Sequence, residues 1–124
     1  MTDPLWPGRV VWVDLGRPQG DDRQQRGRRP ALVISSADHL SVADQLVIGL
    51  PATSRDRGWP NHIRLTGPTQ LPGDTFAMTE QVRTIDRRRI AATAGEVDEG
   101  CLSEVKAWVE RWLDLPTRRS PRRR

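Results

Sequence analysis

Four short runs place polar groups where strands are expected to begin or end: Gln24-Gln25, Arg28-Arg29, Thr53-Ser54 and Glu80-Gln81-Val82-Arg83. Arg29 precedes Pro30 and the apolar run Ala31-Leu32-Val33-Ile34. Proline pushes the residue before it into an extended conformation and suits the start of a strand. A guanidinium in so stiff a setting forks onto a phosphate and keeps its charge. Thr53 and Ser54 bring hydroxyls just past the run that Pro51 closes. Together these groups suit one chemistry. In RNA the 2′-hydroxyl attacks its own phosphorus, so a protein need only clamp the phosphate and stabilise the developing charge. The sequence offers no Ser-His-acid set and no phosphate-cradling glycine loop.

Each run also has a quieter reading, and the residues alone leave both open. The arginines can be a solvated loop edge. Thr53 and Ser54 can cap the turn after Pro51. Glu80 and Arg83 can pair across a strand edge, and Gln24 and Gln25 can be surface loop residues.

The elements that must carry these groups are mostly short strands. Arg9 to Asp14 is β-branched and aromatic. Residues 15–29 show no periodicity and form a long connection, uncommon in a small domain without a task. Ala31 to Ser35 is the second strand, followed by a polar loop with a helical turn. Gln45 to Leu50 is the third strand. Asn61 to Leu65 alternates like a half-buried strand, with His62 outward. Residues 74–79 and 81–85 read as one strand broken by a bend. A turn bearing Arg87-Arg88-Arg89 follows Asp86, and Glu96-Val97 is a short strand. Trp6 is expected to fold onto the core and His39 to be exposed.

A single long helix comes last, capped by Asp98 and stopped by Pro116. Leu102, Val105, Val109 and Trp112 recur at helical spacing, with Cys101, Trp108 and Leu113 widening the stripe. Cys101 is thus a core filler. The expected architecture is mainly β (α+β): a small barrel with an amphipathic C-terminal helix against its open side.

At 124 residues the chain is expected to form one domain over residues 1–116, with a disordered arginine-rich tail at 117–124. One cysteine excludes an internal disulfide and fits a reducing compartment. His39, His62 and Cys101 are too widely spaced for a convincing metal set, so neither metal nor cofactor is expected. Met1-Thr2-Asp3-Pro4 lacks the basic start and apolar centre of a signal peptide, and no apolar run is long enough to span a membrane. A cytoplasmic protein is expected. The net charge of +4 divides into +3 over residues 1–90, −4 over 91–116 and +5 over the tail. A basic front of this kind suits an anionic partner.

From about Gly8 to Leu115 the sequence resembles the MazF/PemK family of toxin endoribonucleases. Four pieces carry the resemblance in family order: Val10-Val11-Trp12-Val13-Asp14-Leu15, Gly27-Arg28-Arg29-Pro30-Ala31-Leu32-Val33-Ile34, Pro51-Ala52-Thr53-Ser54 and Glu80-Gln81-Val82-Arg83-Thr84-Ile85-Asp86. The resemblance implies an SH3-like barrel of the plasmid-maintenance-toxin type, forming a homodimer. It implies metal-independent, sequence-specific cleavage of single-stranded mRNA to 2′,3′-cyclic phosphate and 5′-hydroxyl ends. It implies a cognate antitoxin whose acidic C-terminal segment covers the RNA groove. Arg29 falls on the family's catalytic arginine and Thr53 on its catalytic hydroxyl. Gln25 and Arg83 match motif positions, and Arg28, Ser54, Glu80 and Gln81 are supporting or RNA-binding candidates.

Two departures matter. Many members carry Gly-His-Glu-Gln or a near variant in the first loop, where this chain has Arg23-Gln24-Gln25 behind Asp21 and Asp22. Some carry an arginine two residues before the acid of the late motif, where Met78 stands here. The identity of the proton carriers is therefore open. Two non-cleaving alternatives share the fold: a toxin that binds a topoisomerase, and a module that holds RNA or an antitoxin without turnover.

Overall fold

The computed structural model describes residues 3–15 and 27–116. Chain order is β1 (Arg9–Asp14), β2 (Arg28–Val33), α1 (Ala37–Val42), β3 (Leu46–Thr53), β4 (His62–Arg64), β5 (Phe76–Met78), β6 (Arg83–Asp86), a 3-10 turn (Arg87–Arg89), β7 (Ile90–Glu96) and α2 (Glu99–Trp112). The seven strands form an antiparallel sheet in the order β4-β5-β3-β2-β1-β7, with β6 also on β3. The mainly β architecture with a C-terminal helix is as expected. Closure is not: among the described residues no pairing joins β4 to β7, so the sheet is open. The far end of β7 instead meets a loop, through the single bridge between Thr69 and Gly95.

Successive strand residues point to opposite faces, and both faces here are apolar. Val10, Leu32, Leu50, Ala52, Ala77 and Ala94 pack toward Cys101 and Val105 of α2. Val11, Val13, Ala31, Val33, Val47 and Ile90 form a second cluster, with Leu5, Leu40 and Ile85 packed against it. Cys101 is a core residue, as its helical spacing suggested. Its thiol is pushed up by burial. Asp98 caps α2 by accepting from the Cys101 N–H at 2.8 Å.

Several boundaries shift for identifiable reasons. β2 begins at Arg28 rather than Ala31, because Asp14 and Val13 extend the β1 ladder to Arg28 and Arg29. β3 runs through Pro51 to Thr53. The expected short strand at Glu96-Val97 is the end of β7, a continuous strand from Ile90 paired with β1. Trp6 is not in the core: it is 38% exposed, and its indole N–H needs an acceptor, which it finds in Glu96 Oε1 at 2.8 Å. Arg9 sits over its ring at 4.2 Å. His39 is half-buried because its Nδ1 lies 2.9 Å from the buried Ser35 Oγ.

The bend expected between residues 79 and 81 is present but wider, from the end of β5 at Met78 to the start of β6 at Arg83, and its construction matters for the site. Leu46 to Gly49 pair with Asp86 to Arg83, whereas Ala52 and Thr53 pair with Ala77 and Phe76. β5 and β6 thus share one edge of β3 with a register shift of three residues. The extra residues leave the ladder, and they include Glu80 and Gln81. Pro51 faces this gap. Ile48 turns its carbonyl toward β2, where it accepts from Ile34 and Ser35, so by alternation residue 51 faces the other edge. There the missing proline N–H deprives no partner.

Candidate functional site

The β2–β3 ladder ends at the pair Ala31–Pro51. Ile34 donates to Ile48, so even-numbered residues of β2 face β3. Pro30, the next of these, has no N–H to continue the ladder. Two residues beyond that last rung the chain reaches Arg29 on β2 and Thr53 on β3, which pair with Val13 and Phe76 on their outer edges. Directly opposed residues of an antiparallel pair have side chains on the same face. Arg29 and Thr53 therefore share the face of Ala31 and Pro51, at the mouth where the two strands part.

Arg83 approaches Arg29 from the other side of β3. It lies opposite Gly49 on the other edge of β3, and it lines a cavity of about 80 Å³ together with Val13, Leu15, Arg29, Pro30, Ala31, Pro51 and Ile85. The wall between the two arginines is apolar. Such a wall carries the aliphatic stems while the guanidiniums remain at the rim, exposed. Two exposed cations flanking one apolar hollow make a positive rim that attracts an anion.

The Thr53 hydroxyl accepts from the Arg55 N–H at 3.1 Å. Its own proton is then available to a further acceptor. This is the capping contact that the sequence also allowed, and it coexists with a binding role. Ser54 and Arg28 are exposed beside the pair. Gln25 lies outside the described residues, as does the rest of the stretch 16–26.

Glu80 and Arg83 do not pair with each other. Asn61 Nδ2 donates to Glu80 Oε1 at 2.8 Å, and His62 Nε2 lies 3.1 Å from Glu80 Oε2. Gln81 Nε2 donates to Glu80 Oε2 at 3.4 Å, while Gln81 Oε1 accepts from Arg83 Nη2 at 2.8 Å. Gln81 thus links the carboxylate to the guanidinium. Partial burial pushes the Glu80 carboxyl up, but hydrogen bonds from its own backbone N–H, His62 and Gln81 outweigh it and hold the group below its usual range.

Asn61 and His62 were missed as site residues. His62 was expected outward, yet it is 8% exposed, because the Trp59 ring covers it at 4.7 Å between centroids and Glu80 reaches it from the bend. The one local signal was the aromatic three residues upstream. Among the described residues no group of three or more His, Cys, Asp and Glu side chains could hold a metal ion. No helix among them is long and apolar enough to cross a membrane.

Residues 7–113 match the family described as PemK-like, MazF-like toxin of type II toxin-antitoxin system. The chain belongs to this family. Solved MazF structures share its fold. A MazE–MazF complex from Deinococcus radiodurans superposes with a TM-score of 0.72 at 28% identity, covering 90% of this chain and 97% of that one. MazF alone from the same organism gives 0.67 at 32% identity, with coverage of 90% and 97%. A mycobacterial endoribonuclease solved with its cognate antitoxin gives 0.69 at 20% identity, with coverage of 94% and 99%, a likeness of fold. No curated protein sequence matches the chain. Within this PemK/MazF-like frame, Arg29 and Arg83 line one cavity from the two flanks of β3.

Proposed function

We propose that this chain is the toxin of a type II toxin–antitoxin pair and acts as a metal-independent endoribonuclease on single-stranded mRNA. The proposal is supported by the end of the β2–β3 ladder at Ala31–Pro51, beyond which Arg29 and Thr53 follow on the same face of the sheet. Arg29 clamps the scissile phosphate and stabilises the charge that develops as the 2′-hydroxyl attacks. Thr53 donates its free proton to a phosphate oxygen. Expulsion of the 5′-oxygen leaves a 2′,3′-cyclic phosphate and a 5′-hydroxyl. Family membership supports both the RNA substrate and an antitoxin with an acidic segment as partners, with two copies of the chain forming the active dimer. The SH3-like description of the fold belongs to the same reading.

The test is cleavage of a long RNA by the purified full-length chain in EDTA, with the ends mapped. Cuts at a short recurring sequence with cyclic-phosphate and 5′-hydroxyl ends support the proposal. Intact RNA, or cleavage that returns only on adding a divalent cation, overturns it.

A further inference from the structure

We propose that Glu80 is a positioning residue for Arg83 rather than a proton carrier, and that Asn61 and His62 exist in this chain to hold it so. The proposal rests on the endoribonuclease reading above. It decides between two roles that the Glu80-Gln81-Val82-Arg83 run leaves open.

The geometry separates those roles. A carboxylate that trades protons needs a free oxygen facing the reacting group and an affinity near the working pH. Glu80 has neither. Asn61 donates to Oε1, and His62 and Gln81 meet Oε2. The group is held by Asn61, just ahead of β4, and by His62, the first residue of that strand. What it offers the arginine cavity is an orientation. Its Oε2 receives one end of the Gln81 amide, which fixes the other end, Oε1, as an acceptor for Arg83 Nη2 at 2.8 Å. A guanidinium anchored through one nitrogen loses less freedom when its other donors grip a phosphate. His62 supplies rigidity from beneath, since its side chain is 2% exposed under Trp59. The three-residue register shift between β5 and β6 lifts Glu80 and Gln81 off the ladder and makes the arrangement possible.

Arg29 and Arg83 lie on opposite flanks of one hollow. Arg83 thereby holds a phosphate of the bound strand beside the one that Arg29 grips. Its contribution is to binding, whereas that of Arg29 is to the transition state.

Glu80→Gln, Arg83→Ala and the double variant test this in the full-length chain. The probe is a cleaved RNA and its copy with a 2′-deoxy nucleotide at the mapped cut site. Glu80→Gln is expected to weaken binding of the deoxy copy about tenfold, with both limbs of the pH–rate profile unmoved. The double variant is expected to bind no worse than Arg83→Ala. Arg83→Ala is expected to reduce the salt slope of binding by about 0.7, the value for one lost contact to a single strand. A fall in single-turnover rate of about a hundredfold or more with a flattened limb makes Glu80 a proton carrier and overturns the proposal. Additive losses also overturn it. The order of the Arg83 Nε–H by NMR needs no RNA. It is expected to drop in Glu80→Gln and His62→Gln, and an unchanged order overturns the proposal even if RNA is cut. If the order drops and no RNA is cut by the wild type, positioning stands and the endoribonuclease reading falls.

Discussion

Trp112 donates its indole N–H to Thr79 Oγ1 at 3.0 Å. Thr79 is fully buried and passes its own proton to the Asn61 carbonyl at 2.7 Å. The last turn of α2 is thus fastened to the bend that carries Glu80, although Trp112 is 47% exposed. Trp112→Phe keeps an aromatic ring beside Trp108 and removes the donor, together with part of the indole surface. It is expected to cost about 1 kcal/mol, read from urea unfolding. Thr79→Val removes both bonds and strands the Asn61 carbonyl, so it is expected to cost more. Because the two residues share one bond, the double variant is expected to lose less than the sum. Strict additivity would show that the bond contributes nothing.

Arg29→Ala tests the strand-mouth pair. Arg29 is exposed and lies at the first rungs of β2, so its loss should leave the fold intact by circular dichroism. Removing one donor from a preorganised charge-stabilising site costs about 3–4 kcal/mol of activation free energy, or roughly 10²–10³ in rate. Thr53→Val is expected to show a loss of the same kind, and Thr53→Ser to retain most activity because the hydroxyl survives. An Arg29→Ala variant that cuts RNA at the wild-type rate would remove Arg29 from the mechanism.

Some of this organisation was legible in the residues and some was not, and the division follows the range of the interactions. The cap at Asp98, the core role of Cys101 and the turn after Asp86 are local, and each appears in the expected place. The end of the β2–β3 ladder was legible in part, because Pro30 has no N–H to carry it on. The burial of His62 was not. It depends on Glu80, eighteen residues later, reaching back from a bend whose direction follows from the register shift between β5 and β6. Alternation gave Ile63 inward and His62 outward, but this edge strand is covered on both sides. Openness of the sheet was equally invisible, since closure depends on whether the first and last strands in space meet.

Gly95 holds the end of β7 against the loop at Thr69. Its φ is +77°, and an added Cβ would run into the Pro68 carbonyl oxygen and the Thr69 Cα. Gly95→Ala therefore combines backbone strain with a clash against main chain, which cannot step aside. A loss on the order of 3 kcal/mol is expected. Gly58 is the control: its φ is +73°, but nothing lies within 4 Å of the added atom. Gly58→Ala should cost about 1 kcal/mol, from strain alone. Equal unfolding midpoints for the two variants would mean that the loop yields.

Acid should loosen the turn after β6. The Arg88 side chain, then the Arg88 N–H and the charge of Arg89, hold the Asp86 carboxyl down from an ordinary 3.8 to about 2. The folded chain thus binds this proton more weakly than the unfolded chain. The resulting stabilisation is complete above about 3.8 and is lost as the pH falls through about 2. Glu80 and Asp98 are shifted in the same direction and add to the same acid-side loss. Asp86→Asn keeps an acceptor for the Arg88 N–H but loses the charge. Its thermal midpoint is expected to lie below that of the wild type at pH 5 and to converge with it near pH 2. The gap at pH 5 should shrink in 1 M salt, because the Asp86–Arg88 pair, 2.7 Å apart, sits at the surface. A gap that stays constant from pH 5 to 2 would assign the difference to something other than ionisation of Asp86.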